Sequence, residues 1–328
     1  MKHLLFFLSL FCCSCSEQKN EMAWHGHAMT IPYHIHVGTL PKKLSYNQVY
    51  TIIEKTFQEI DETFNKYNPN SELSRLNQWK EDLPFHCSSK LFFLLQQCDL
   101  FYKLSGGRFD PTISPLKEAL SKNSTPSKEA LPPIGWKNLS LSDDGSVRKS
   151  NERISLDLGA IAKGYAVDLL IETLFDIGIK DLYVEWGGEI RTKGTHPEDR
   201  PWKIGIVSPN DDSPHIIELE EAALATSGDY LQTWTLFKEG KEQTFSHFFD
   251  PEKQAPYPGS AQKSITVKHE SCLVADALAT IFCMLEPDED PNLFLQENVL
   301  PLFPTARIIF PNNYPSTSGS RKTELTHI

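Results

Sequence analysis

The sequence predicts an α+β fold in which mixed or antiparallel sheets are flanked by helices. One-sided apolar patterns of helical spacing occur before residue 106 and again at 159–178 and 272–285. Short strand patterns separated by turn residues fill most of 182–268. Because the two kinds of pattern do not alternate strictly, the sequence does not support a doubly wound parallel sheet.

The elements before residue 106 are predicted to be one strand and two helices. Alternating apolar residues at 33–37 predict the strand. Ser45 and Gln48 form a capping box, which begins a helix that ends before residue 68. A second helix runs from about 89 to 105, and the two glycines that follow stop it.

The elements after residue 120 are predicted to be shorter. Residues 121–135 are rich in proline, glycine and polar residues and predict a loop, and 138–157 predict a hairpin around an Asp144-Gly145 turn. The last helix is predicted at 272–285. The short strands are predicted near 182–186, 202–207, 216–219, 231–237 and 264–268.

The size and charge of the chain limit its class. Its 328 residues suffice for one large domain or two of moderate size, and 40% hydrophobic residues suffice for a core. The net charge is −11, from 32 basic and 43 acidic side chains, which argues against nucleic acid as a partner because that binding needs a basic face. A nucleotide ligand stays possible, since a local lysine or metal ion holds phosphates within an acidic protein.

The first fifteen residues are typical of a secretory signal, with a charged start and an apolar run at 4–11 that is too short to cross a bilayer. A cysteine directly after such a run indicates a lipoprotein, with Cys15 as the acylation candidate, Cys13 as its rival and a short uncleaved anchor as the alternative. We therefore expect a protein exported and lipid-anchored to a bacterial membrane, facing the periplasm. The predicted parts are a signal peptide at 1–15, a tether at 16–26, one domain at 27–310 and a flexible tail at 311–328.

The four cysteines beyond Cys15 do not indicate a metal or redox centre. They form no C-x-x-C pair, and each lies in an apolar stretch, so free buried thiols are expected. A disulfide between Cys87 and Cys98 stays open, because exported proteins permit one.

Residues 155–168 are the stretch around which the chain is organised. A short apolar run ends at Asp157, Gly159 follows, and apolar residues of helical spacing continue to Gly178. The pattern predicts a strand, a tight glycine turn and a helix with Lys163 in its first turns. The N-terminus of such a helix suits a phosphate. An ordinary strand-to-helix turn with an aspartate cap and a solvated lysine is the alternative.

The segment Asp-Leu-Gly-Ala-Ile-Ala-Lys-Gly-Tyr-Ala-Val-Asp at 157–168 resembles the central motif of the ApbE family, the FAD:protein FMN transferases. The resemblance spans roughly 29–282 and implies an ApbE-like, two-lobed body. Further blocks in that family's order are Ser-Glu-Leu-Ser-Arg-Leu-Asn at 71–77, Ser-Gly-Gly-Arg-Phe-Asp-Pro-Thr-Ile-Ser-Pro-Leu at 105–116, Gly-Gly-Glu-Ile at 187–190, Ala-Thr-Ser-Gly-Asp-Tyr at 225–230, His-Phe-Phe-Asp-Pro at 247–251 and Ala-Asp-Ala-Leu-Ala-Thr at 275–280.

A metal site is predicted on the last helix. Asp276, Ala279 and Thr280 share one helix face, and carboxylate, hydroxyl and carbonyl oxygens suit Mg²⁺ better than zinc. The alternative is that the Thr280 hydroxyl bonds the carbonyl one turn earlier. The resemblance implies that Asp276 and Thr280 hold Mg²⁺ beside the backbone oxygen of Ala160, and Asp276 is also a predicted catalytic residue.

A flavin site is predicted around 106–112. Two glycines let the backbone approach a flat ligand closely, and a helix end followed by a proline turn is the alternative. The family's Met-Gly-Thr reads Met29-Thr30-Ile31 here, which leaves the local backbone path open. The residues that the resemblance assigns to FAD are Met29, Tyr67, Arg108, Phe109, Asp110, Asp157, Lys163 and Phe249.

His247 is the candidate general base. Histidine titrates near neutral pH and accepts a proton from a hydroxyl nucleophile. The block at 247–251 resembles the family's His-x-x-Asp-Pro with a bulkier middle pair, and Gln254 stands where the family has a later glycine. A structural histidine bonded to Asp250 is the alternative.

The resemblance implies an Mg²⁺-dependent transfer of FMN from FAD to a Thr or Ser hydroxyl of a target protein, with release of AMP. The chain contains no acceptor-like Asp-x-x-x-Ser-Gly-Ala-Thr stretch, so the acceptor is expected to be another protein, such as a membrane redox subunit of Na⁺-translocating NADH:quinone reductase. The alternatives are a lipoprotein that binds or scavenges FAD without chemistry, an FAD pyrophosphatase and, more distantly, a two-carboxylate glycosidase.

Overall fold

The computed structural model describes most of the chain between residues 21 and 309. The described ranges are 21–80, 83–121, 133–207, 213–228, 233–238, 241–258, 264–286 and 288–309. The predicted signal peptide, Cys13 and Cys15, the predicted tail and most of the loop predicted at 121–135 lie outside these ranges. Within them, no helix has both the length and the apolarity of a membrane span.

An antiparallel sheet of seven strands forms the centre of the molecule. Its strands, in chain order, are β1 (Met22–Ala28), β2 (Ile31–Val37), β6 (Leu182–Trp186), β7 (Glu189–Lys193), β10 (Ala223–Gly228), β14 (Ser264–His269) and β15 (Arg307–Ile309). They pair in this order, and each neighbouring pair is antiparallel. The sheet, together with its helices, confirms the predicted α+β class.

Strand β1 corrects the predicted tether, because its residues from Met22 onward already belong to the sheet. Trp24 explains this early start, since its side chain is almost fully buried beneath the sheet.

Helices cover the inner face of this sheet. The helices are α1 (Tyr46–Phe64), α2 (Glu72–Gln78), α3 (Ser89–Leu104), α4 (Ser114–Ser121), α5 (Ala162–Asp176), α6 (Cys272–Cys283) and α7 (Pro291–Phe294), which continues as a π-helical turn at Leu295–Val299. Helix α1 begins at the predicted capping box, with both Ser45 and Gln48 bonds present. Every residue of α6 is buried, because α6 packs against both α5 and the sheet.

Smaller sheets complete the fold. β3 (Phe85–His86), β4 (Leu139–Ser142) and β5 (Ser146–Lys149) include the predicted hairpin, and β8 (Trp202–Ile206) and β9 (His215–Leu219) form a second hairpin. β11 (Thr233–Lys238), β12 (Lys241–Asp250) and β13 (Ala255–Pro258) form a third sheet. The β8–β9 hairpin buries apolar side chains against Tyr183 and Ile190, so it covers the outer face of β6 and β7. The described cysteines are free thiols, so no Cys87–Cys98 disulfide forms.

The segment that leads to Asp157 differs from its prediction. Residues 154–158 form no strand, and α5 begins at Ala162 rather than at Gly159. The side chain of Asn77 explains the difference: its amide nitrogen donates to the Leu156 carbonyl at 3.0 Å, and its oxygen accepts from the Leu156 N–H at 2.8 Å. One side chain therefore takes the place of a neighbouring strand.

Candidate functional site

A cleft of about 520 Å³ opens between the large sheet, its helices and strand β12. Of the predicted site residues, Ala279 alone does not line it, because its side chain is fully buried on α6. The predicted residues that line the cleft are Met29, Tyr67, Arg108, Phe109, Asp110, Asp157, Ala160, Lys163, His247, Phe249, Asp276 and Thr280. The chain thus brings together residues that lie up to 251 positions apart, from Met29 to Thr280.

Helix α6 presents Asp276 and Thr280 one turn apart on the wall of the cleft. The residues are 3% and 8% exposed. One oxygen of Asp276, Oδ2, accepts from the Gly164 N–H at 3.0 Å. The Thr280 hydroxyl lies 3.2 Å from the hydroxyl of Ser227 on β10. Since α6 is buried along its whole length, both oxygen-bearing side chains have fixed positions.

Helices α5 and α6 approach each other closely at Gly164. A Cβ atom there would lie 2.4 Å from the Cys272 carbonyl oxygen, so only glycine permits this contact. Asp168 fastens the same pair of helices, because its carboxylate accepts from the backbone N–H groups of Cys272 and Leu273 and from the Ser271 hydroxyl. A carboxylate at a helix N-terminus satisfies free N–H groups and complements the helix dipole. This contact holds Asp276 beside the start of α5.

Lys163 and Glu189 form an ion pair inside the cleft. Glu189 is 2% exposed, and within the described part of the chain its second oxygen, Oε2, is buried without a hydrogen-bond partner. Burial raises the pKa of both Glu189 and Asp276. Burial alone would lower the pKa of Lys163, but the two carboxylates raise it. Two buried carboxylates therefore face a single ammonium group, and the expected alternative of a solvated Lys163 is wrong.

This donor set fits the Mg²⁺ ion that the family implies. Among the described residues no three His, Cys, Asp or Glu side chains are placed to hold a metal, so a cation here needs other oxygens as well. Mg²⁺ commonly binds one or two carboxylates and completes its shell with water and substrate phosphates. The Asp276 carboxylate, the Thr280 hydroxyl and the Ala160 backbone line one cleft, and Glu189 adds a carboxyl oxygen that has no hydrogen-bond partner among the described residues.

Asp157 lies in the same cleft but in the opposite electrostatic setting. Its Oδ2 atom accepts from Lys66 Nζ at 3.0 Å and from Lys117 Nζ at 2.8 Å, and its Oδ1 accepts from the Gly159 N–H at 2.9 Å. Burial alone would raise the pKa of this carboxyl, but the two lysines hold it well below its ordinary value. Asp157 does not cap helix α5, which starts five residues later, so the aspartate-cap alternative is wrong.

The segment predicted for flavin is a helix end and proline turn that also lines the cleft. Gly106 and Gly107 adopt left-handed conformations after α3. Asp110 is buried, and its oxygens accept from the N–H groups of Thr112 and Trp136 and from the Thr112 hydroxyl. Burial raises the pKa of the Asp110 carboxyl. Its observed bonds therefore hold the turn in place at the cleft.

Arg108 and Phe109 flank this turn in different ways. The Arg108 guanidinium pairs with Glu289 at 2.7 Å and donates to the Ser105 carbonyl. Phe109 is 2% exposed and packs against Phe101. Only part of the phenylalanine surface is therefore open to a ligand, whereas the arginine is half-buried at the cleft rim.

Met29 and Thr30 form the two-residue turn between β1 and β2. Their φ angles are 50° and 68°, so both are left-handed although neither is glycine. Gln254, at the other position where the family has glycine, has a φ of 51°. Thr30 and Gln254, which stand where the family has glycine, thus both keep a left-handed backbone. The local backbone path at Met29, which the sequence left open, is therefore a left-handed turn. Tyr67 is 83% exposed, and the Lys66 ammonium lies 5.1 Å from its ring centre.

Strand β12 brings His247 and Phe249 to the cleft. The His247 ring lies 4.1 Å from the Phe248 ring, measured between ring centres. Phe249 is 1% exposed and packs with Leu116 and Ile134. Asp250 accepts from two backbone N–H groups of the following turn and pairs with a lysine, Lys253, at 3.0 Å. His247 remains the candidate base in the cleft.

The site contains functional candidates that sequence reasoning missed. Glu189 belongs to the Gly-Gly-Glu-Ile block at 187–190, but no role was predicted for it from the sequence. Its position directly after two turn glycines was the signal that could have singled it out. Lys66 and Lys117 gave no sequence signal, because their partner lies 91 and 40 residues away. Asn77 ended one of the blocks that resemble the family, but it had no assigned role, because its partner lies 79 residues away. These four residues set the charge or the path of the backbone around the cleft.

The chain is similar to known proteins over most of its length. The sequence model of the ApbE family matches residues 29–302, which contain every residue that lines the cleft. The FAD:protein FMN transferase of Chlamydia pneumoniae is 36% identical over 307 residues, covering 89% of this chain and 94% of that protein. The enzyme of the same name from Chlamydia trachomatis is 36% identical over 289 residues, covering 85% and 88%.

Solved structures show the same fold. The flavin transferase ApbE from Vibrio cholerae superposes with a TM-score of 0.71 at 29% identity, over 81% of this chain and 87% of that one. The ApbE protein from Thermotoga maritima superposes with a TM-score of 0.73 at 25% identity, over 88% and 93%. The α+β architecture with antiparallel sheets is therefore shared with these proteins.

Proposed function

Because this chain belongs to the ApbE family and is an FAD:protein FMN transferase, we propose that it is Mg²⁺-dependent and joins FMN to a Thr or Ser hydroxyl of its target. The product is a phosphoester, and AMP is released. The observation that carries the proposal is the unequal distribution of charged groups along one cleft. At Asp276 and Glu189 the carboxyl groups outnumber the lysines, and at Asp157 the lysines outnumber the carboxyl groups. A diphosphate bound with Mg²⁺ would match both ends, because its negative phosphates suit the lysine-rich end and the positive ion suits the carboxyl-rich end.

Asp276, Thr280 and the Ala160 carbonyl are the groups that would hold Mg²⁺. When bound, the ion neutralises charge on the diphosphate of FAD. The pair of Lys163 and Glu189 lies beside this place, and Asp168 with Gly164 keeps α6 at its position. Phosphoryl transfer depends mainly on such positioning and charge neutralisation.

The proposed reaction is a substitution at the phosphorus on the flavin side of FAD. The acceptor hydroxyl oxygen forms a bond to that phosphorus, the bond to the bridging oxygen breaks, and its electron pair leaves with AMP. The hydroxyl proton goes to a base, for which His247 is our candidate because its half-buried imidazole lies in the cleft. Arg108, Phe109 and Asp110 form the turn against which we place the flavin half.

The acceptor and the location of the enzyme complete the proposal. The signal-like start of the chain supports an exported protein that a lipid on Cys15 anchors to the membrane, facing the periplasm. We propose a membrane redox subunit as the acceptor, such as that of Na⁺-translocating NADH:quinone reductase, because a membrane-anchored enzyme meets such substrates at the same surface.

A mass measurement tests the reaction. The purified protein is incubated with FAD, Mg²⁺ and an acceptor that carries Asp-x-x-x-Ser-Gly-Ala-Thr, and acceptor mass and free AMP are measured. We expect the acceptor to gain the mass of FMN less water, with one AMP released per acceptor. An acceptor whose Ser and Thr are replaced by alanine serves as the control.

Two other outcomes would overturn the proposal. Tight FAD binding with no gain in acceptor mass would support a scavenging protein. Free FMN and AMP in equal amounts, with an unmodified acceptor, would support a pyrophosphatase.

A further inference from the structure

The outer face of β1 and β2 carries a group of histidines that the flavin reaction does not use. His25 on β1 lies directly across from His34 on β2, and His36 follows two residues later on the same face. We call His25, His34 and His36 the histidine cluster. His25 and His34 are exposed and His36 is half-buried, on the face opposite to the buried side chains of Trp24 and Ile35.

Carboxylates contact one ring nitrogen in two of these imidazoles. His34 Nδ1 lies 2.6 Å from Glu185 Oε2, and His36 Nδ1 lies 2.5 Å from Glu21 Oε1. An ionised carboxylate only accepts hydrogen bonds, so Nδ1 carries the proton in both rings. In the neutral imidazole the lone pair then lies on Nε2. Metal-binding histidines have this arrangement, because a carboxylate on one ring nitrogen orients the other toward the ion.

The spacing of the rings suits a shared ion. The ring centre of His25 lies 5.1 Å from that of His34 and 5.3 Å from that of His36. A zinc–nitrogen bond of about 2.0–2.1 Å places the metal about 3.2 Å from each ring centre, so two imidazoles at a tetrahedral angle have centres about 5.2 Å apart. Both measured separations match this value.

We propose that the histidine cluster binds one transition-metal ion of the zinc type, with Glu185 and Glu21 orienting two of its ligands. In the side-chain positions of the structure no three such groups among the described residues are yet placed to hold a metal, so the rings must rotate as the ion binds. Exposed side chains rotate within nanoseconds, so such a reorientation is fast.

This site is distinct from the cation site in the cleft. Its donors are imidazole nitrogens, which suit zinc, nickel and copper, whereas the cleft offers the oxygens that suit magnesium. It lies on β1, the strand at the edge of the seven-stranded sheet. A metal held by His25 on β1 and by His34 and His36 on β2 therefore links the edge strand to its neighbour.

A zinc titration tests the site. The purified protein is stripped with a chelator, and Zn²⁺ is titrated in competition with a chromogenic chelator at pH 7.5 in excess Mg²⁺. We expect micromolar or tighter zinc binding that His25→Ala or His36→Ala weakens at least tenfold. Glu185→Gln should weaken it about tenfold, the lower end for outer-shell partners. Cobalt(II) in place of zinc should give the visible absorption of a tetrahedral site in the wild type but not in His25→Ala or His36→Ala.

His27→Ala is the matched control, because His27 lies on the same strand and face but opposite Pro32 rather than opposite a histidine. We expect it to bind zinc within twofold of the wild type, with thermal unfolding of every metal-free variant showing that each one folds. Zinc binding that His25→Ala and His36→Ala leave unchanged would overturn the proposal, as would an equal loss in His27→Ala or no zinc binding in the wild type.

Discussion

At one end of the cleft a single carboxylate, Asp157, faces the ammonium groups of Lys66 and Lys117, whereas at the other end Glu189 and Asp276 share one ammonium, that of Lys163. Among the residues that line the cleft, the first end thus has one more ammonium than carboxyl groups, and the second has one more carboxyl than ammonium groups. Buried charges are costly unless they are paired, so each end favours a ligand of the opposite charge. The contrast is what we expect of a cleft that binds a phosphate group and a metal ion together, as proposed above.

The two ends also differ in how their residues are held. Asp276 and Lys163 are held by contact between two buried helices, at Gly164 and Asp168. Asp157 lies on irregular backbone that the Asn77 side chain supports from a distant helix. Substitutions at the two ends should therefore separate the metal requirement from the affinity for FAD, and the following predictions are ordered by the size of the expected effect.

Asp276→Ala tests the negative end most directly. Removing the carboxylate takes away a proposed metal ligand, and we expect flavin transfer to fall at least about a thousandfold, since such ligands act mainly in the transition state. The measurement is the rate of acceptor labelling at saturating Mg²⁺. Near wild-type labelling at saturating Mg²⁺ would remove Asp276 from the metal site.

Glu189→Gln removes one buried carboxyl group and nearly preserves the shape of the side chain. We expect the Mg²⁺ concentration for half-maximal labelling to rise about tenfold, because the cation then meets one buried carboxylate instead of two. The FAD affinity measured without Mg²⁺ should not weaken, since the lysine-rich end is untouched.

Glu218→Gln, on the exposed surface of β9, is the matched control for this substitution. A Glu189→Gln variant with an unchanged Mg²⁺ requirement would show that Glu189 only positions Lys163.

Lys117→Met tests the positive end. The substitution leaves Asp157 with one lysine and removes one partly buried positive charge that would attract a phosphate. We therefore expect FAD to bind about tenfold more weakly. Lys203→Met, on exposed β8, should bind FAD as the wild type does. Equilibrium titration of flavin fluorescence measures both. If the two variants bind FAD equally well, the lysine-rich end is not a phosphate site.

The same variant has a predictable pH dependence. The pKa of Asp157 in the folded protein lies below its ordinary value of about 3.9, so its ionised form stabilises the fold above that pH, and this stabilisation is lost as pH falls through the folded pKa. Removing Lys117 raises the folded pKa. We therefore expect the midpoint of acid unfolding to move to higher pH in Lys117→Met, and an unmoved midpoint would contradict the assigned ion pair.

Tyr67→Leu should have the smallest effect. The exposed ring lies near the Lys66 ammonium, and such exposed contacts contribute about 0.5–1 kcal/mol. We expect FAD affinity to fall about twofold to fivefold while the Mg²⁺ requirement stays the same. The control is Tyr50→Leu, at an exposed tyrosine of α1. An equal loss of FAD affinity in the two variants would assign the effect to a general change of the surface.

The sequence predicted the parts of this molecule that depend on local pattern. The capping box at Ser45 and the Asp144-Gly145 hairpin formed as expected, because each depends on residues a few positions apart. The cleft residues were found through resemblance to a family, block by block. Strand β12 was missed, because its sequence does not alternate between apolar and polar residues.

The charge balance of the cleft was beyond sequence reasoning. Whether Lys66 pairs with Asp157 or points into solvent depends on a contact across 91 residues, which no local spacing encodes. The segment before Asp157 shows the same limit in backbone form. The apolar run of this segment predicts a strand, but the Asn77 amide satisfies the backbone hydrogen bonds of Leu156 that a neighbouring strand would otherwise satisfy. Tertiary contacts decided both cases.

Thr30 and Gln254 hold left-handed conformations that glycine adopts without penalty. For other residues this conformation costs roughly 1–2 kcal/mol, so the fold supplies that free energy at two turns near the cleft. Glycine at either turn should therefore raise the free energy of unfolding of this protein and leave every charge in place.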